Sequence, residues 1–249
     1  LKTDFIMRSY RLAASLACGG LILLASQAVA AETTIAAAAG YRRPLTELAA
    51  AYAATSGDQI LQVYGHVGQV VAQAQQSDQI ALVCGDKVTL DGAKNLSFSR
   101  WLSLGAGQLV VAYRKGITLA KAEDIADASL KRIGIPDQAN AIYGKAGRQF
   151  LDRAGLASGV DPRLVPVAMV PQVTSYLATG ELDAGFINAT DAIGAGDTIG
   201  GFVKVDPDRY DAVDVACGVR AGDVPKALAG FLAFLGTSEA HAILGRYGL

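Results

Sequence analysis

The apolar positions of this chain switch repeatedly between two periods. Residues 33–38 form a short apolar run of the kind that fills a buried strand. From Pro44 the spacing changes, and Leu45, Leu48, Ala49 and Tyr52 fall three or four residues apart, which predicts a helix over 44–54. Pro44 suits the first turn of that helix, where a missing N–H costs nothing. The switch then recurs along the chain. Strands are predicted at 59–63, 80–83, 109–113, 132–135 (stopped by Pro136), 164–167, 184–187 and 202–205. Helices are predicted at 68–75, 122–126, 144–154 and 171–178, with a tail of two at 227–235 and 238–247. Strand–helix alternation of this kind predicts an α/β architecture with largely parallel sheets.

The pattern carries a faint internal echo. Gly68-Gln69-Val70 leads into the strand at 80–83, and Pro171-Gln172-Val173 leads into the strand at 184–187. The two glutamines are 103 residues apart, as are the two valines. One helix–strand unit used once in each of two similar lobes accounts for the match. So does chance, because only a few residues agree.

The start of the chain follows a different logic. Arg8 and Arg11 precede an uncharged stretch over 12–26, which ends in Ala28-Val29-Ala30-Ala31. A basic start, a short apolar segment and small residues at the cleavage point make a secretory signal. It spans 1–31, with Met7 as the natural initiator. The other reading is an uncleaved anchor, for which the apolar stretch is short against ~30 Å of hydrocarbon. Cys18 has too little apolar sequence before it to favour lipid attachment. Cleavage after Ala31 removes Lys2, Asp4, Arg8 and Arg11, which takes the formal net charge from −1 to −3. The expected location is periplasmic, where Cys84 and Cys217 have two fates, a disulfide or two buried thiols.

Composition narrows the classes further. With 51% apolar and 18% charged residues, the chain of 249 is not disordered. Its charge near zero gives no footprint for nucleic acid, and no DNA-reading helix is evident. Catalytic candidates are sparse. His241 lies among Ala and Leu in the last helix, whereas His66 sits between Gly65 and Val67 just before a helix. There is no Gly-x-Ser-x-Gly elbow, His-Glu-x-x-His pair, Cys-x-x-Cys or Walker loop. A metal site would need more ligands than His66 and scattered carboxylates supply.

What recurs is a helix opening directly after a strand or small loop. Gly40-Tyr41-Arg42-Arg43 precedes Pro44, and Gly65-His66-Val67-Gly68-Gln69 opens the second such helix. Ala141-Ile142-Tyr143-Gly144 opens the third and Met169-Val170-Pro171-Gln172 the fourth. Each start offers unpaired N–H groups and the positive end of a helix dipole, which suit an anion. Every α/β protein has such turns, and the small, polar composition is what singles these out.

The order of these motifs resembles the periplasmic molybdate-binding proteins of ABC importers. That family opens on a strand followed by Ala-Ala-Ala-Ser-Leu and a helix, and Thr34-Ile35-Ala36-Ala37-Ala38-Ala39-Gly40-Tyr41 stands in that place. Its loop before the second helix matches Tyr64 to Gln69, and its next helix opening matches Ile142-Tyr143-Gly144. Its Val…Gly-x-x-Asp-Ala-Gly stretch matches Val170 to Gly185, most closely over 178–185. The last helix matches Ser238-Glu239-Ala240 through Arg246-Tyr247-Gly248.

The resemblance implies a two-lobe periplasmic binding protein fold, type II-like, with helices flanking a central β-sheet in each lobe. It implies lobes at 32–110 plus 212–249 and at 111–211, joined by two crossing strands that act as a hinge. It also implies a monomer without catalysis, cofactor or metal site, which hands a molybdate- or tungstate-like oxyanion to an importer permease. Ligand contacts would come from Gly40, Val67, Tyr143, Val170 and Asn188. Here the family's two serine donors fall on Gly40 and near Val67, and its tyrosine donor falls on Asn188. Tyr41, Arg42, His66, Gly68, Gln69, Gly144 and Gln172 lie beside these positions and complete the candidate set, with Arg43 next to them. An arginine in the cleft would suit a carboxylate or phosphate, although Arg42 and Arg43 also read as a solvated helix face. The alternatives are another small anion, such as a carboxylate or phosphorylated metabolite, a secreted enzyme using His66, or a ligand-sensing module.

Overall fold

The structure, a computed structural model, describes residues 30–249. The signal segment, apart from its last two residues, lies outside the described residues, and so does Cys18. Strands β1 (Glu32–Ala38), β2 (Gln59–Gly65) and β3 (Ile80–Asp86) are linked by helices α1 (Arg42–Ser56) and α2 (Val67–Gln76). A short helix α3 (Lys87–Asp91) leads to β4 (Phe98–Gly107). The chain then crosses into a second sheet at β5 (Leu109–Tyr113). There β6 (Ile133–Pro136), α4 (Ile142–Arg153), α5 (Ala157–Val160), β7 (Leu164–Val167), α6 (Val170–Thr179), β8 (Ala184–Asn188), α7 (Ala189–Ala195) and β9 (Gly201–Lys204) follow. It returns to the first sheet as β10 (Val213–Arg220) and ends in α8 (Lys226–Leu235) and α9 (Ser238–Arg246).

The first sheet has the order β2-β1-β3-β10-β4 and the second β7-β6-β8-β5-β9. In each sheet three neighbouring strands are parallel, a fourth (β10 or β5) runs antiparallel to them, and the fifth (β4 or β9) pairs antiparallel with that fourth. The expectation of largely parallel sheets is therefore corrected to mixed ones. The parallel strands are joined by helical crossovers, as parallel neighbours require. The reversed strand in each sheet, β5 or β10, is the one by which the chain enters from the other sheet. The two sheets share one topology, with α2 leading to β3 where α6 leads to β8. That equivalence gives the Gln69–Gln172 echo a structural basis.

The core follows from burial on both faces. All five residues of β8 are buried, as are Ile35 to Ala38 in β1, which explains their unbroken apolar runs. Cys84 and Cys217 are register partners across β3 and β10 and are joined by a disulfide. Pro136 does not lie beyond β6 but ends it. The ladder with β8 covers only Ile133 and Gly134, which leaves room at the strand end for a residue without an N–H. Among the described residues, no single helix is long and apolar enough to cross a membrane.

Candidate ligand-binding cleft

Strands β1, β2, β6 and β7 all end toward the same region, and each is followed by the start of a helix. The four starts line one small cavity of about 20 Å³. Residues 38–41 come from the β1 end, 65–67 from the β2 end, 141–143 from the start of α4, and 169–170 from the start of α6. The four openings singled out in the sequence therefore meet in one place, two from each half of the molecule. The lining includes no Lys, Arg, Asp or Glu. What the walls offer is small or apolar side chains, two tyrosines, one imidazole and the backbone N–H groups that open each helix.

Backbone proximity explains the small residues. The Gly40 carbonyl accepts a hydrogen bond from Asn188 Nδ2 at 2.9 Å. A Cβ on Gly40 would stand 2.6 Å from Asn188 Oδ1, so any side chain there would displace the asparagine. At Gly144 a Cβ would lie 2.2 Å from the Asp137 carbonyl oxygen and 2.4 Å from that of Pro136. Only glycine lets α4 begin so close to the end of β6. Gly68 donates its N–H to the Asn140 carbonyl at 3.3 Å, which ties α2 to the opposite half.

The two tyrosines form the base of the cleft. Their hydroxyls are 2.7 Å apart and their rings meet edge-on, with centroids 6.3 Å apart. Burial is the main cause raising both above the ordinary phenol range; the neighbouring Tyr143 raises Tyr41 further. The Tyr143 hydroxyl stands 2.3 Å from where a Cβ on Gly107 would be, beside Val213. The pair thus sits under the points where the chain crosses between sheets.

Other candidates have different duties. His66 Nδ1 accepts the Gln69 N–H at 3.2 Å, and Gln69 Oε1 accepts the His66 N–H at 3.2 Å, a reciprocal cap on α2. Gln172 plays the corresponding part at α6, where its Oε1 accepts from Ala168 at 2.8 Å and Met169 at 3.3 Å. Neither glutamine is among the lining residues, whereas His66, Val67 and Val170 are. Arg42 is also outside the lining, with its guanidinium over the Tyr64 ring at 5.5 Å. Arg43 pairs with Asp191 across the two halves, Nε to Oδ1 at 3.2 Å. Asp191 is buried and also accepts from the Thr174 hydroxyl. Asn140, Thr174 and Asp191 were not anticipated. Asn140 acts through its backbone, and Asp191 lies in a helix that the apolar spacing did not predict.

A family model described as bacterial extracellular solute-binding protein matches residues 33–249. The molybdate-binding protein ModA of Azotobacter vinelandii is 26% identical over 248 residues, covering 96% of each chain. ModA of Rhodobacter capsulatus is 25% identical over 233 residues, covering 90% of each. The solved structure of the Azotobacter vinelandii periplasmic molybdate-binding protein superposes with a TM-score of 0.78 at 23% identity, over 87% of this chain and 97% of that one.

Proposed function

The chain belongs to the bacterial extracellular solute-binding protein family, and on that premise we propose that it captures a small oxyanion between its two sheets and delivers it to an importer permease. The observation that carries this reading is the convergence of four helix starts on a cavity whose lining holds no charged side chain. N–H donors arriving from both halves suit a compact solute with oxygens on every side. Partial charges at helix ends stabilise such an anion without a fixed counter-charge. The donors we assign to the solute are the backbone N–H groups of Gly40, Val67, Tyr143 and Val170. Closure would be a hinge motion at the two crossings, between Gly107 and Leu109 and between Lys204 and Val213.

The relatives' names point to molybdate, with tungstate of the same shape. Sulfate, phosphate and small carboxylates belong in the same test, because Gly40, Val67 and Asn188 replace the side-chain donors that the family resemblance implies. We place the protein in the periplasm as a monomer, with the permease of an ABC importer as its partner. The hydrolase reading draws no support from the site. His66 commits Nδ1 to the cap of α2, and no Ser, Thr or Cys lines the cavity.

Isothermal titration of the purified protein against molybdate, tungstate, sulfate, phosphate and small carboxylates tests the reading. At least one oxyanion should bind with a dissociation constant of about micromolar or tighter. Absence of binding by all of the oxyanions overturns it.

A further inference from the structure

Asn188 narrows the ligand. It ends β8, and its side chain is fully buried, with 0% exposure. Its Nδ2 donates to the Gly40 carbonyl, which can only accept, so the orientation of the amide is fixed. The other end, Oδ1, finds no hydrogen-bond donor among the described residues. Buried acceptors without a donor are rare in folded proteins. This one stands 2.6 Å from the place of a Cβ on Gly40, a residue of the cavity wall. The amide oxygen therefore fills the space that a side chain at position 40 would take, next to the wall residue Gly40, and Asn188 is not itself among the lining residues.

We propose that Asn188 determines specificity: its amide oxygen accepts a hydrogen bond from the bound solute and selects an oxyanion that still carries a hydroxyl. The proposal rests on the oxyanion reading above. Molybdate, tungstate and sulfate carry no proton near neutral pH, so every oxygen they present is an acceptor. Set against Oδ1, they bring two acceptors together in a dry site. The hydrogen phosphate dianion has the shape and charge of sulfate but keeps one O–H. That O–H satisfies Oδ1 while its other oxygens take the backbone N–H groups. Turning the amide over gives no relief, because Oδ1 would then face the Gly40 carbonyl. A site built to pair with a solute hydroxyl discriminates strongly against an analogue without one.

The test is a set of titrations of the full chain with phosphate, sulfate, molybdate and tungstate at mildly alkaline pH. It compares the wild type with Asn188→Ala and Asn188→Asp, each checked for folding by thermal unfolding. Phosphate should bind the wild type more tightly than sulfate by about 10-fold or more. Asn188→Ala should bring that ratio toward one. Asn188→Asp keeps an acceptor and adds repulsion toward unprotonated anions, so it should widen the ratio. The inference fails if sulfate, molybdate or tungstate binds the wild type as tightly as phosphate does. It fails equally if Asn188→Ala leaves the ratio unchanged or, where that variant does not fold, if Asn188→Asp does not widen it. Failure of all four anions to bind is a separate result, which removes the oxyanion reading and this inference with it.

Discussion

Three hydrogen-bond donors meet the carboxylate of Asp183. Its Oδ2 accepts the backbone N–H groups of Lys131 at 2.7 Å and Arg132 at 3.0 Å, and its Oδ1 accepts from Arg114 Nε at 3.0 Å. Burial alone would raise its pKa, but the donors outweigh burial and hold it below the ordinary carboxylate value. A depressed native pKa stabilises the fold above the unfolded value, and that contribution is lost as pH falls through the native one. Asp183→Asn should therefore be less stable than the wild type by about 1.5–3 kcal/mol at neutral pH. The gap should close as pH falls below about 4. Urea unfolding across a pH series reads it directly, and a gap independent of pH contradicts the assignment. The Asp183-Ala184-Gly185 run was legible in the sequence as a family feature. Its work was not legible, because two of its donors are backbone groups some fifty positions away. The Tyr41–Tyr143 hydrogen bond, spanning 102 positions, was hidden for the same reason.

Among elements, those buried on both faces were the easiest to read, since an unbroken apolar run follows from their environment. Strand β5, buried at four of its five positions, begins and ends at the predicted residues, 109–113; the part-exposed edge strand β7 also does so, at 164–167. Strands β4 and β10 escaped prediction. Their pairing is interrupted by register shifts near Val215 and Val219. Gly218 is small because a Cβ there would stand 2.5 Å from the Phe98 ring. Strand β4 neither alternates cleanly nor forms a plain apolar run, and the buried run Val215–Val219 of β10 is short and flanked by Asp214 and Arg220. The glutamines of α2 and α6 show the converse case, a visible pattern whose capping duty the sequence did not reveal. They were expected near the ligand, but each closes the first turn of its helix. Gln69→Ala and Gln172→Ala should each lower stability by about 0.5–2 kcal/mol. Oxyanion affinity should change by less than about 3-fold, well under the tenfold that 1.4 kcal/mol of lost contact would give. Thermal unfolding and titration of the same samples separate the two effects. A large loss of affinity at unchanged stability would make them ligand contacts after all.

For the whole molecule the decisive contacts are those that join the halves. Gly68 meets Asn140, Tyr41 meets Tyr143, Asn188 meets Gly40, and Arg43 meets Asp191. The second and third include residues of the cavity wall, Tyr41, Tyr143 and Gly40. The ion pair stands apart, since neither Arg43 nor Asp191 lines the cavity. Arg43 is part-exposed, with 41% of its side chain accessible, and its stem lies against the backbone at Gly194. Asp191 is buried on the far side and held by Thr174. The pair can affect binding only by favouring the closed arrangement. A solute that needs the closed form has its apparent dissociation constant divided by the closed fraction. Loss of a half-exposed pair is a modest change, so Arg43→Gln should weaken binding by about 3–10-fold. The factor should be the same for every anion that binds, because no anion touches the pair. Asp191→Asn should act alike, and the double variant should be little worse than either single one, as expected when both remove one interaction. Small-angle scattering of the ligand-free variants should show a larger radius of gyration than the wild type. An unchanged radius with unchanged affinity would mean that the pair does not hold the halves together. A factor that differs from anion to anion would instead place Arg43 or Asp191 against the solute.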